Sequence, residues 1–156
     1  MVLVAIALGG NLGDRAAHLA SGVAALRLLI PDLIVSSFIE TAPVGAEPQP
    51  WFLNGAATGH WDGDAPALLA HLLSIERLAG RERPRLGAPR TLDLDLILFG
   101  DAIIDSPVLT VPHPRFRDRV FVLEPLSQIA SEMRDPATGF TVGELWRRLK
   151  ETRRCV

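Results

Sequence analysis

Cysteine and lysine are almost missing from this chain. The one cysteine, Cys155, stands next to the last residue, so neither an internal disulfide nor a cysteine zinc cluster can be built, and a reducing, cytoplasmic compartment is expected. The one lysine is Lys150, which leaves arginine as 15 of the 16 Lys and Arg residues. A Walker phosphate loop needs G-K-[ST] and is excluded. Guanidinium groups grip phosphate in pairs of hydrogen bonds and never lose their charge; a bias of the host genome is the plainer account of the same count. Excess charge is also missing. A formal net charge of -2 creates no field that gathers DNA or a membrane surface, so neither partner is expected and any anion site has to be built locally. No apolar run approaches the roughly 20 residues of a membrane-spanning helix. "MVLVAIALGG" lacks the basic start of a secretory leader, and no targeting segment is expected there.

What is present suits one domain over residues 1–156, because 48% apolar and 22% charged residues are ordinary for a globular protein. "VLVAIAL" is a β-prone run that ends in the turn "GGNLGD", where Asn11 or Asp14 can cap the helix whose apolar positions recur from Ala16 to Ile30. "LIVSSFIET" and "WFLNGAATGHW" are two strands pairing antiparallel across a Pro/Gly loop. Asp62 or Asp64 caps the next helix, with Pro66 in its first turn, Leu68, Leu72, Ile75 and Ala79 as its buried stripe and Gly80 as its stop. "TLDLDLILFG" is the fourth strand, and helical patterns follow at "FVLEPLSQIA" and "TVGELWRRLK". The order predicts an α+β fold with a ferredoxin-like βαββαβ core and a mainly antiparallel sheet, onto which the last third also packs.

In the fourth strand, alternation puts Leu92, Leu94, Leu96 and Leu98 on one face and Thr91, Asp93, Asp95 and Ile97 on the other. Two acids on one strand face can bridge a hard cation; they can also simply discourage edge-to-edge association. Just upstream, "GRERPRLGAPR" sets Arg81, Arg83, Arg85 and Arg90 against Glu82. Arginines beside paired acids suit metal-bound polyphosphate, although a solvated charged loop has the same composition. Phe52 and Asn54 share a strand face two residues apart, an aromatic platform beside an amide that suits a flat heterocycle as well as an ordinary core. His113, between two prolines, is stiffly held and can donate to a phosphate. Three classes stay open on these residues alone: phosphoryl-type transfer, metal-dependent hydrolysis by a phosphodiesterase, and a non-enzymatic ferredoxin-like binding module. Formation of AMP rather than ADP or hydrolysis products separates them.

Taken together, "ALGGNLGDR", "SSFIETAPVG", "WFLNGA", "IERLAGRER", "APRTLDLDLILFG" and "LTVPHPRFRDRVFVLEPL" resemble, nearly end to end and in order, the 6-hydroxymethyl-7,8-dihydropterin pyrophosphokinases of the folate pathway. The resemblance implies an αβα sandwich on the ferredoxin-like core. It implies transfer of pyrophosphate from ATP to the hydroxymethyl oxygen of a reduced pterin, with release of AMP. By the same likeness Asp93 and Asp95 bind two Mg²⁺ ions, and Phe52 and Phe121 sandwich the pterin, whose edge is read by Asn54 and by Thr41, Pro43 and Val44. Arg81, Arg83, Arg90, His113 and Arg119 handle phosphate, with Asp95 also catalytic, while Glu76, Leu96 and Thr110 surround the nucleotide. A monomer with these two small-molecule substrates is expected.

Overall fold

A computed structural model describes residues 1–43, 48–80 and 91–154. Along them run β1 (Val2–Gly10), α1 (Arg15–Leu29), β2 (Ile34–Val35), β3 (Ile39–Thr41), β4 (Phe52–Trp61), α2 (Ala65–Leu78) and β5 (Asp93–Phe99). A small ribbon, β6 (Ile104–Asp105) with β7 (Thr110–Val111), then leads through a 3-10 turn at Phe116–Asp118 to α3 (Val120–Ala130) and α4 (Val142–Arg154). The helix ends follow from local chemistry. Of the two candidate caps for α1, Asp14 does the work, its carboxylate accepting from Ala17 N–H at 3.1 Å. For α2 it is Asp64, accepting from Ala67 N–H at 2.8 Å, and Gly80 leaves the helix in the left-handed region at φ +82°, where only glycine is unstrained. Thr141 and Glu144 exchange side-chain to backbone bonds of 3.2 and 3.1 Å, a capping box that starts α4.

The strands lie in the order β2-β4-β1-β5, with β3 also on β4, and every pair is antiparallel. The segment expected to be one strand from Leu33 to Thr41 is two. Val35 faces Ala57 and Ile39 faces Asn54, so residues 36–38 oppose only residues 55 and 56. One residue too many forces a bulge. Ser36 fills the gap in the ladder, its hydroxyl accepting from Ala56 N–H at 2.9 Å. Gly55 is required beneath it, since a Cβ there would lie 2.6 Å from the Phe38 ring.

Alternation along β1 divides the interior in two. Val4, Ile6 and Leu8 pack with Leu19 and Leu26 of α1 and Leu68 and Leu72 of α2. Ala5 and Ala7 pack with Phe116, with Val122, Leu123 and Leu126 of α3, and with Leu145 of α4. Leu92 and the three leucines of β5 do not all share a face, contrary to strict alternation. Leu92, Leu94 and Leu96 lie in the first core, but Leu98 joins Ile97 in the second. Leu96 pairs with Ile6 and Leu98 with Ala5, leaving Ile97 as an extra residue that slips the pleat by one.

Candidate active site

The carboxyl-terminal half of β1 runs out as Leu8, Gly9 and Gly10, and Gly9 is the pivot of the site. Asn54 of β4 and Asp93 of β5 face Gly9 from either side, one step beyond Ala7, which faces Asp95. A Cβ on Gly9 would stand 2.9 Å from the Asn54 side-chain oxygen, so the missing side chain is what lets the amide lie over the strand. Asn54 is 5% exposed and donates to the Thr41 hydroxyl at 2.7 Å, which fixes the direction of its amide. Around this floor, Thr41, Ala42, Gln49, Phe52, Asn54, Asp93, Asp95, Arg119 and Phe121 line one cleft. Phe52 comes from the start of β4 and Phe121 from the first turn of α3. Arg119 sits over the Phe121 ring, 5.3 Å from its centre.

A second hollow adjoins it, lined by Leu69 and Leu73 of α2, Leu94, Asp95 and Leu96 of β5, and Val108, Leu109, Thr110, His113 and Pro114. Asp95 belongs to both linings. Of the expected site residues, Thr41, Phe52, Asn54, Asp93, Asp95, Arg119 and Phe121 therefore converge on the cleft, and Leu96, Thr110 and His113 meet in the hollow beside it. Pro43 does not line the cleft. Glu76 lines neither: it is 2% exposed and accepts from Leu94 N–H at 2.7 Å, the peptide between the two acids. Val44, Arg81, Arg83 and Arg90 lie outside the described residues.

Burial of His113, aided by Arg119 and Arg115 and opposed by Asp93, brings its pKa down to about 4. Its ring is neutral at pH 7. Nδ1 accepts from Arg115 N–H at 3.2 Å, which leaves the proton on Nε2. Arg117, which looks like plain surface in the sequence, forks onto Asp135 at 2.6 and 3.0 Å. Asp135 is fully buried and also accepts from Ala137 N–H and the Thr138 hydroxyl. This knot ties the segment carrying His113, Arg119 and Phe121 to the turn between α3 and α4. Sequence reasoning missed Gly9 and Gln49 as lining residues, because "GGN" was explained in full by a tight turn.

Among the described residues no three His, Cys, Asp or Glu side chains group to hold a metal. A pair of carboxylates nevertheless fits Mg²⁺, which takes one or two protein carboxylates and completes its shell with phosphate oxygens and water. No helix among the described residues is long and apolar enough to cross a membrane.

Comparison with known proteins gives the family. Residues 5–131 match the family described as 7,8-dihydro-6-hydroxymethylpterin-pyrophosphokinase. The chain is 40% identical over 142 residues to the 2-amino-4-hydroxy-6-hydroxymethyldihydropteridine pyrophosphokinase of Synechocystis sp., covering 90% of this chain and 72% of that one. It is 42% identical over 135 residues to the protein of the same name from Bacillus subtilis, covering 85% and 81%. Among solved structures, a Plasmodium falciparum HPPK-DHPS aligns with 99% of this chain at a TM-score of 0.73 and 14% identity. This chain spans 45% of that one, and at such identity the likeness speaks for the fold alone. The chain belongs to the 7,8-dihydro-6-hydroxymethylpterin-pyrophosphokinase family.

Proposed function

We propose that the chain carries out its family's reaction across the boundary between the cleft and the hollow, with the pterin in the first and the nucleotide in the second. As a member of that family it transfers pyrophosphate from ATP to 6-hydroxymethyl-7,8-dihydropterin, giving AMP and the pterin diphosphate, in folate biosynthesis. The observation that carries the site assignment is Asp95, which lines both spaces and so stands where a triphosphate would meet the acceptor hydroxyl.

Phe52 and Phe121 hold the pterin ring between them, and Asn54, oriented by Thr41, reads its polar edge together with the backbone that leaves the cleft wall at Thr41 and Ala42 toward Pro43 and Val44. Leu96 and Thr110 flank the nucleotide. Glu76 serves it indirectly, by holding the β5 backbone between the acids. Asp93 and Asp95 are the residues that would hold Mg²⁺, two ions in this reading. Bound there, the cations would neutralise the triphosphate and polarise its oxygens. Transfer of this kind has a loose transition state, so alignment and charge stabilisation matter more than a strong base. Arg119 lies over Phe121 and supplies permanent positive charge between ring and phosphates; neutral His113 donates from Nε2 to a phosphate oxygen. Arg81, Arg83 and Arg90 act on the same phosphates.

The strand order supports a ferredoxin-like βαββαβ core within a three-layer αβα sandwich, and the protein works as a cytoplasmic monomer in this reading. The test is product identity. ATP, the pterin and Mg²⁺ should yield AMP and pterin diphosphate in equal amounts, and chelation of the metal should stop turnover. ADP, or phosphate release with the pterin untouched, would refute the proposal.

A further inference from the structure

The turn after β1 supplies two side chains that the reaction itself does not use. Asn11, 1% exposed, donates its amide to the Gln49 side-chain oxygen at 2.7 Å and to the Pro50 carbonyl at 3.0 Å. Arg15, the first residue of α1, donates Nη1 to the Trp51 carbonyl at 3.0 Å and pairs through Nη2 with Glu40. Both reach the far end of the connection between β3 and β4. That connection borders the cleft at each end, through Thr41 and Ala42 on one side and Gln49 and Phe52 on the other.

The hydrogen-bond ladder gives these contacts their importance. β3 has only three residues, and Thr41 opposite Phe52 is its last rung. Terminal rungs of short strands open easily. Arg15 grips both strands at this rung, one through the side chain of Glu40 and the other through the carbonyl of Trp51, the residues that precede Thr41 and Phe52. Arg15 does not itself line the cleft. We infer that Arg15 is a positioning residue for the pterin: its guanidinium clamps the open end of the β3–β4 pair and so holds Phe52 and Thr41 at the spacing that the flat ring requires. The inference rests on the pterin site assigned above.

A planar fork is needed for this, because one group has to meet a carboxylate and a carbonyl in different directions. The ion pair is partly solvent-exposed, with side-chain exposures of 28% for Arg15 and 56% for Glu40, so its removal should cost the fold little. Initial rates of AMP formation provide the test. Wild-type turnover with the pterin confirms the reaction, so the variants report on the clamp alone. Arg15→Ala should raise the KM for the pterin on the order of tenfold, the loss expected for hydrogen bonds to a charged group, while kcat, the KM for ATP and the melting temperature stay close to wild type. Arg15→Lys should recover part of the affinity. Glu40→Gln, which keeps the Trp51 contact, should show a smaller rise of the same kind and serves where Arg15→Ala folds poorly. An unchanged pterin KM, or an equal rise in the KM for ATP, overturns the inference.

Discussion

The two faces of the same three strands are built to different rules. Toward α1 and α2, β1 presents Val4, Ile6 and Leu8, and β5 with the residue before it presents Leu92, Leu94 and Leu96, all buried against leucines of the helices. Toward α3 and α4, β1 presents Ala5, Ala7 and then Gly9, and β4 presents Ala56 and then Asn54. Beside them β5 presents Ile97 and then Asp95 and Asp93. On the first face large side chains fill the space between sheet and helices. On the second, small ones let α3 approach at one end; at the other, where α3 begins at Val120, the sheet is left uncovered and becomes the cleft floor. One pleat thus serves as core on one side and as core passing into site on the other. Side-chain size decides which.

If that division holds, a change at the uncovered end should remove chemistry without loosening the fold. Asp95→Ala should lower turnover by about a thousandfold or more, the scale on which removal of one preorganised electrostatic group is felt. Its melting temperature should match the wild type, since a cleft-facing carboxylate leaves no cavity in either core. Rates per folded molecule, measured alongside thermal unfolding, check both halves; a comparable loss of stability would erase the distinction between the two faces.

Much of this division was legible in the sequence, and the misses have physical causes. The acids of β5, the aromatic and amide of β4, and the helix caps are set by local spacing, and they fall where spacing puts them. The order of strands and helices likewise follows from hydrophobic period and turn residues. Leu98 was misplaced because the leucine alternation continues unbroken through the bulge at Ile97, which exists only in the pairing with β1. The split of the second strand depends on the Ser36 hydroxyl meeting the Ala56 backbone across 20 residues. Arg117 looked like surface since its partner Asp135 lies 18 residues on. Arg15 escaped notice in the same way, its partners lying 25 and 36 residues away. Side chains that act at long range leave no periodic trace.

The cover of the second face offers a middle-sized test. Burial works against the charge on Asp135, but the Arg117 fork, the Thr138 hydroxyl and the Ala137 N–H outweigh it and hold the carboxyl below its ordinary 3.8. A depressed carboxyl stabilises the fold above its unfolded pKa, and that contribution is lost as pH falls through the folded value. Asp135→Asn should therefore cost roughly 3 kcal/mol at pH 7, in the range for breaking a buried ion pair. The gap between variant and wild type should begin to narrow as pH falls through the ordinary carboxyl value and close only once pH has passed the lower folded value, where the native carboxyl also becomes neutral. Denaturant unfolding across that range measures it. A gap that stays constant down to low pH would mean that the charge of Asp135 contributes nothing to holding the cover.

The smallest effect should come from Phe52, which belongs to the second face only through the ligand. Its ring is partly exposed at the mouth of the cleft and sits at the last rung of β3 and β4, so truncation removes a stacking surface but little core. Phe52→Ala should weaken pterin binding by about tenfold, the scale of one lost aromatic stacking contact. Binding of a non-hydrolysable ATP analogue should hardly change, because the second hollow lies on the far side of Asp95 and draws its lining from α2, β5 and residues 108–114. Calorimetric titration of each ligand separates the two. Weaker nucleotide binding with pterin binding intact would mean that the heterocycles occupy the spaces in the opposite sense, with the acids still between them.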